Sequence, residues 1–124
     1  MLKQTTIKKG TFQHVESELY SFQDTQKEIV KIKNELLNDQ SEQTVVKIMK
    51  HRMLEQMEHI TDAIENVVGQ LPQEKQKLIK LRYWTRPQLL TWDGVAIELD
   101  VGRATAIRWR DEIVIEIAKK IGWR

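Results

Sequence analysis

The sequence contains no cysteine. This absence excludes a disulfide scaffold, a thiol nucleophile and a zinc site built from thiolates. No apolar run approaches the roughly 20 residues that a membrane-spanning helix requires, and the N-terminal stretch MLKQTTIKKG lacks the apolar core of a secretory signal peptide. Together these absences predict a cytoplasmic protein that has no contact with a membrane.

An excess of charge of one sign is also missing. The chain has 20 basic and 18 acidic side chains, and a net charge of +2 is weak for a protein that binds nucleic acid. Residues 45–90 carry eight basic and five acidic side chains, whereas residues 91–124 carry six of each. If the chain binds DNA, the placement of its basic side chains therefore matters more than their sum.

Residue patterns that support catalysis are equally scarce. The three histidines are His14, His51 and His59. The last two are eight residues apart, but no carboxylate completes a metal-binding spacing such as HExxH. The chain also has no glycine-rich phosphate loop and no serine in a nucleophile motif. We expect no enzymatic activity, no catalytic residue, no bound metal and no cofactor.

The most informative stretch is Trp92–Asp111, WDGVAIELDVGRATAIRWRD, whose spacing is typical of a helix-turn-helix. Residues 100–102 form the turn between the two helices. A small side chain at Ala96 allows the two backbones to approach closely where the helices cross. The spacing predicts that five side chains are buried between the helices and the body: Val95, Ala96, Leu99, Ala106 and Trp109.

The second helix of this motif has a distinctive outward face. At about 100° per residue, a helix that starts at Arg103 directs Arg103, Ala104, Ile107 and Arg108 away from the body. Arginine pairs with guanine through two hydrogen bonds, and alanine or isoleucine contacts the methyl group of thymine. We therefore predict that these four residues read DNA bases in the major groove. A helical hairpin with no role in DNA binding has the same spacing, and that alternative stays open.

Contacts to the DNA backbone are predicted from basic and hydroxyl side chains around the motif. Phosphate contacts position a protein on the duplex without reading sequence. Thr91 is also suited to cap the helix that begins at Trp92, where free amides favour a phosphate. The predicted backbone contacts are Lys80, Arg82, Arg86, Thr91 and Arg110.

The N-terminal half has the pattern of long helices. From Phe12 onward, one apolar series repeats every seven residues, Val15, Phe22, Ile29 and Leu36. Its partner series, Phe12, Leu19, Gln26 and Lys33, becomes polar in its second half. This stripe predicts either a coiled-coil arm that forms a homo-oligomer through residues 12–37 or a helix that packs within its own chain. Both alternatives stay open.

The remaining boundaries follow from apolar spacing and from breakers. A polar loop is predicted at 38–44, and a second long helix from Glu42 to Val68. One side of that helix carries Val46, Met49, Met53, Met57, Ile60, Ile64 and Val67. Gly69 ends this helix, Pro72 opens the next one, and Gly122 ends the last. The sequence therefore predicts an all-α fold with an arm at 1–44 and a body at 45–124, in which the helix-turn-helix module occupies about 72–124.

A resemblance to known families rests on these same residues. Residues 71–121 resemble the promoter-binding C-terminal domain of bacterial sigma factors, through LP before an acidic-basic helix, Leu81-Arg82-Tyr83 at its end, Thr91 opening the next helix and Val101 after the turn. The tail RDEIVIEIAKKIGWR resembles phage late-gene regulators of the ArpU and RinA type. Gly102 stands where sigma factors commonly have a hydroxyl residue.

The resemblance implies a phage or prophage transcriptional activator of late genes that acts in the cytoplasm of a bacterial host. Its expected partners are double-stranded DNA and, for activation, host RNA polymerase. Two alternatives stay open. The first is a helical protein-interaction or adaptor protein, which the methionine-rich second helix and the N-terminal repeat favour. The second is a phage small terminase subunit, although the helix-turn-helix of such proteins usually comes first in the chain.

Overall fold

The computed structural model describes residues 6–38 and 44–124. These residues form helices and no strand, so the predicted all-α fold is confirmed. Among the described residues, no helix combines the length and the apolar content needed to cross a membrane. The helices are α1 (Lys9–Asn38), α2 (Thr44–Gly69), α3 (Gln73–Tyr83), α4 (Trp92–Leu99) and α5 (Arg103–Ile121).

Helix α1 begins three residues earlier than the sequence predicts. Gly10, a residue type that disfavours helix, lies in the first turn of α1. The backbone N–H of Phe12 already donates to the carbonyl of Lys8 at 2.9 Å. Glycine in a helix costs about 1 kcal/mol relative to alanine, and packing of Ile7 and Phe12 against the core offsets this cost.

The first half of α1 packs inside its own chain. Val15, Leu19 and Phe22 are buried in the main hydrophobic core together with residues of the other four helices. This packing corresponds to the intramolecular alternative for the predicted stripe. Self-association through residues 12–37 remains a prediction, but these three side chains are already buried within the chain.

The second half of α1 departs from the predicted repeat. Ile29 and Ile32 form a small cluster with Leu54 of α2. Lys33, a polar position of the predicted stripe, is exposed in the single chain and pairs with Glu58 at 3.3 Å. Ile32 is buried next to it, because a straight helix has 3.6 residues per turn and its buried side drifts away from a strict heptad repeat.

Helix α2 has its predicted apolar side, but only part of that side is covered. Ile60 and Ile64 are buried in the main core, whereas Val46, Met49 and Met53 are exposed. Gly69 ends the helix as predicted. The predicted helix start at Glu42, and most of the loop expected at 38–44, lie outside the described residues.

Two predicted helix boundaries in the C-terminal half are found in the structure. Pro72 precedes α3 as its N-cap, and Gly122 follows the last residue of α5 with a left-handed φ of 98°. The N–H of Trp123 donates to the carbonyl of Ala118 at 2.8 Å. This is the hydrogen bond of a Schellman cap. Its consequence is that Trp123 turns back toward α1, where its ring stacks on His14 with centroids 4.1 Å apart.

Candidate nucleic-acid interface

Helices α4 and α5 form the motif that the spacing predicts. Thr91 is the N-cap of α4, and its Oγ1 accepts a hydrogen bond from the N–H of Gly94 at 3.2 Å. Asp100 has φ 55° and ψ 45°, the left-handed conformation that ends α4. Aspartate tolerates this conformation better than most residues other than glycine. The turn residues 100–102 then lead directly into α5.

The inner face of the motif joins the main core. Four of the five side chains predicted to be buried there are buried: Val95, Ala96, Leu99 and Ala106. The fifth, Trp109, is half-buried, and the Nζ of Lys75 lies 5.5 Å from the centroid of a Trp109 ring. Helix α5 is therefore fixed on one side, which leaves its opposite side to face outward.

The outward side of the first half of α5 carries the residues predicted to read bases. Arg103 and Arg108 expose 60% and 65% of their side chains. Ala104 is exposed and Ile107 is half-buried. We call these four residues the outer face of α5. Their arrangement matches the predicted side of the helix, with two extended cations flanking a small apolar surface.

Each arginine of the outer face already has an acidic neighbour. The Nε of Arg103 lies 3.5 Å from Oδ1 of Asp93 on α4, and the Nε of Arg108 lies 3.6 Å from Oε1 of Glu112, one turn later in α5. Exposed ion pairs of this kind contribute only about 0–1 kcal/mol. Both arginines can therefore exchange their carboxylate for another acceptor at little cost.

The five residues predicted to contact the DNA backbone fall into two groups. Lys80 and Thr91 are exposed beside the motif. Arg86 is also exposed, but its guanidinium is directed toward α1, where it donates to the carbonyl of Tyr20 at 2.7 Å and to the carboxylate of Asp24 at 3.1 Å.

The other two, Arg82 and Arg110, face the interior of the module. Both guanidinium groups lie 4.8 Å from the ring centroid of Trp92, the first residue of α4. Arg82 also donates to the carbonyl of Leu90 at 3.5 Å. A cation over an indole ring stabilises the contact by about 0.5–2 kcal/mol, depending on how far it is desolvated. These two arginines thus fix the start of α4 against α3 and α5.

A polar cluster that the sequence pattern did not reveal connects α1 to this module. Oε2 of Glu16 accepts a hydrogen bond from the hydroxyl of Tyr83 at 2.6 Å and another from Arg110 at 3.0 Å. Arg110 also donates to Asp111 at 2.6 Å, and its guanidinium lies 5.2 Å from the ring centroid of Phe12. No local signal points to Glu16, because its partners follow it by 67 and 94 residues.

Burial and hydrogen bonding set the ionisation of this cluster. Burial, reinforced by the hydrogen bond to the Glu16 carboxylate, raises the pKa of Tyr83. Burial acts to lower the pKa of Arg110, but its hydrogen bond to Asp111 and the charge of Glu16 outweigh burial and raise it. The cluster therefore holds a neutral phenol beside a charged guanidinium. In the fold, this cluster attaches α1 to α3 and to α5, the helix that carries the outer face.

Two of the three histidines that were considered for catalysis have structural neighbours. His14 stacks on Trp123, and Nε2 of His59 lies 2.8 Å from the carbonyl oxygen of Ile121. His51 is exposed on the first half of α2.

Fold and site together define an all-α protein in which two long helices support a C-terminal helix-turn-helix with an exposed, arginine-bearing outer face. The model of one family, described as a protein of unknown function (DUF722), matches residues 12–119, and the chain belongs to that family. No curated protein and no solved structure matches the chain.

Proposed function

We propose that this protein is a sequence-specific DNA-binding transcription regulator that inserts the first half of α5 into the major groove. The observation that carries the proposal is the outer face of α5. Arg103, Ala104 and Arg108 are exposed, with Ile107 between them, on a helix whose opposite side is packed. Two arginines and small apolar groups match the acceptors of guanine and the methyl group of thymine.

The surrounding side chains support a specific docking position. Lys80 and Thr91 are exposed beside the motif, and Arg86 keeps 55% of its side chain exposed. We assign phosphate contacts to these three residues. Arg82 and Arg110 instead hold Trp92 in place, and thus position the helices rather than contact phosphate. No catalytic step is assigned to this chain.

The biological setting in this proposal rests on the resemblance to sigma factors and to regulators of the ArpU and RinA type. It makes the protein a phage or prophage activator of late genes in a bacterial cytoplasm. Activation then includes contact with host RNA polymerase while α5 reads the promoter.

Binding to DNA is tested with the full chain by selecting bound sequences from random duplexes, followed by fluorescence anisotropy on the selected site. Counterion release makes the affinity fall steeply with salt, with a slope set by the number of phosphate contacts. A selected consensus sequence together with a steep salt dependence is the expected result. Recovery of no consensus and a flat salt response would overturn the proposal.

A second candidate function, a helical adaptor that binds another protein, is favoured by the exposed apolar side of α2. Val45 and Met49 expose 70% and 63% of their surface. The two candidates differ in their requirement for the outer face of α5. An adaptor would keep its function when Arg103 and Arg108 are both changed to alanine, whereas a DNA-reading regulator would lose it.

A further inference from the structure

The first half of α2 carries an apolar surface that no described residue covers. We call it the α2 stripe, and each of its five side chains is at least 40% exposed: Val45, Val46, Ile48, Met49 and Met53. At about 100° per residue, these side chains occupy less than half of the circumference of the helix. Ile60 and Ile64 continue the same side of α2 into the main core. The apolar side of α2 is therefore covered in its second half and bare in its first.

Basic side chains surround the α2 stripe. The helical period places Arg52 among the apolar side chains, Lys50 at one border and His51 at the other. Residues 44–54 contain no acidic side chain at all. The α2 stripe is thus an apolar surface in a basic setting, and a second copy of it would bring like charges together.

The carboxylates nearest the stripe do not cancel this charge. Oε2 of Glu35 lies 3.5 Å from the Nζ of Lys50, so one cation is paired across the helix pair. Glu55 follows one turn farther along α2. Arg52 is exposed and has no ion-pair partner among the residues that the structure describes. Its guanidinium is therefore free to pair with a carboxylate of another molecule.

An apolar pocket lies at the same end of the helix pair. It has a volume of about 370 Å³ and is lined by residues of both α1 and α2: Lys33, Leu36, Leu37, His51 and Leu54. His51 thus borders the pocket as well as the α2 stripe, and Leu37 is 83% exposed. A concave apolar site of a few hundred cubic ångströms is large enough to receive a protruding side chain.

The area of the α2 stripe matches the apolar part of a specific interface. Its five side chains expose on the order of 500 Å². A standard interface buries about 800 Å² on each partner, and only about 57% of that area is apolar, or roughly 450 Å². The stripe supplies this apolar part, and the basic side chains around it supply the polar part.

We propose that the α2 stripe docks an acidic amphipathic segment of a partner protein. The apolar side of that segment packs on Met49 and Met53, because methionine adapts its shape to a facing surface. Its carboxylates pair with Arg52 and with the basic border of the stripe. An apolar anchor of the partner enters the pocket beside His51. Complementary charge of this kind steers association and selects the partner.

Two other anionic partners fit these observations less well. The phosphates of DNA pair with cations, but they leave the aliphatic side chains of the stripe uncovered. A membrane surface covers aliphatic side chains, but residues 44–57 contain no aromatic residue of the kind that buries a helix in the interface. A lipid surface also makes no use of a pocket. The proposal goes beyond DNA binding through α5 and does not depend on it.

Three synthetic helical peptides test the proposal with the full chain. The test peptide carries leucine on one side and glutamate on the other. One control peptide has lysine in place of glutamate, and the second has the residues of the test peptide in scrambled order. Fluorescence anisotropy should show that the chain binds the test peptide at least about tenfold more tightly than either control peptide.

Variants of the chain locate the binding surface. Met49→Gln/Met53→Gln removes apolar contacts and should weaken binding of the test peptide at least about tenfold. Arg52→Glu should weaken it at least about fivefold, and more strongly at low salt, because salt screens exposed charge pairs. The matched controls are Leu89→Gln, at a side chain that is 81% exposed, and Lys31→Glu, at an exposed cation of α1. Both controls should bind like the wild type, and circular dichroism checks that every variant keeps its helices.

A fluorescent label gives a second measurement that leaves the stripe intact. Because the chain has no cysteine, Gln56→Cys introduces a single thiol one turn beyond Arg52, on the same side of α2. An environment-sensitive dye on this thiol should shift its emission when the test peptide binds. The same dye on Gln23→Cys, at an exposed position of α1, should not respond.

Three results would overturn the proposal. The first is no binding of the test peptide, or equal affinity for all three peptides. The second is binding that neither Met49→Gln/Met53→Gln nor Arg52→Glu weakens. The third is tighter binding to phosphatidylglycerol vesicles or to random-sequence duplex DNA than to the test peptide, with that binding lost in Arg52→Glu, which would assign the α2 stripe to a lipid surface or to nucleic acid.

Discussion

The hydroxyl of Tyr83, the last residue of α3, donates a 2.6 Å hydrogen bond to Oε2 of Glu16 in α1. The same oxygen accepts a hydrogen bond from Arg110 in the middle of α5. One carboxylate therefore ties the long N-terminal helix to α3 and to α5. Arg110 lies one turn beyond Ala106, so this contact joins α1 to the helix that carries the outer face.

The contribution of this contact to folding is predicted to depend on pH. Tyr83→Phe removes a hydrogen bond to a charged group and should lower the free energy of unfolding by about 1.5–3 kcal/mol. Burial and the hydrogen bond to Glu16 raise the pKa of Tyr83 in the folded state above the value of about 10 that a free tyrosine has. The stabilisation is therefore complete below pH 10 and is lost as the pH rises further, because the unfolded chain releases the phenolic proton first.

Urea unfolding at several pH values measures this effect. The difference between the wild type and Tyr83→Phe should be constant below pH 10 and should shrink above it. Tyr20→Phe, at a tyrosine that is 39% exposed, is the control and should change stability little. An equal difference at every pH would contradict the assignment.

Loss of a base contact on α5 should weaken binding to the selected DNA site. Arg108→Ala is expected to cost about 1–3 kcal/mol, a rise in Kd of roughly 5- to 150-fold. The measurement is fluorescence anisotropy at fixed salt. Lys119→Ala is the matched control, because Lys119 is an exposed cation on the same helix that pairs with a carboxylate, Glu116, at 3.7 Å. Equal affinity of Arg108→Ala and the wild type would remove Arg108 from the interface.

The carboxylate beside Arg108 should act in the opposite direction. Glu112→Gln releases Arg108 from its 3.6 Å ion pair and removes a negative charge beside the outer face of α5. Since an exposed pair contributes up to about 1 kcal/mol, affinity for DNA should rise by up to about fivefold. Glu116→Gln makes the same change farther along the helix and should leave affinity unaltered. A fall in affinity for Glu112→Gln would mean that this carboxylate itself contacts the DNA.

The start of α5 offers a stabilising substitution. Gly102 is the N-cap but supplies no side-chain acceptor to the first turn. A Cβ there would meet only Thr105 Oγ1 at 3.9 Å, an ordinary contact. Gly102→Ser should raise the free energy of unfolding by a few tenths of a kcal/mol. Gly122→Ser should instead lower it by about 1–2 kcal/mol, because the φ of 98° at this position strains any side chain. Urea titrations of both variants check the opposite signs.

Local features of the sequence were sufficient to predict the helix-turn-helix. The Thr91 cap, the turn at 100–102 and the Gly122 stop depend on hydrogen bonds between residues at most five positions apart. The buried positions Val95, Ala96 and Ala106 follow from helical spacing alone. The side of α5 on which Arg103 and Arg108 lie follows from the same spacing, because burying one side of a helix determines which residues remain outside.

Residue type alone did not separate the basic side chains by function. Lys80 and Arg108 are exposed, whereas Arg110 is held by Glu16 and Asp111. An arginine is recognised as part of an internal cluster only when its partners are known, and the partner of Arg110 in α1 precedes it by 94 residues.

The sequence by itself therefore determined the all-α class, the caps and turn of the C-terminal motif and the direction of its outer face, because each depends on a helical period or on a few neighbouring residues. Only the tertiary structure decided which half of the apolar side of α2 is covered and which arginines are held by partners inside the fold. The period of a helix predicts that Met49 and Ile64 share a side. Whether a neighbour covers that side depends on where α5 crosses α2, and the residue pattern of neither helix determines the crossing point.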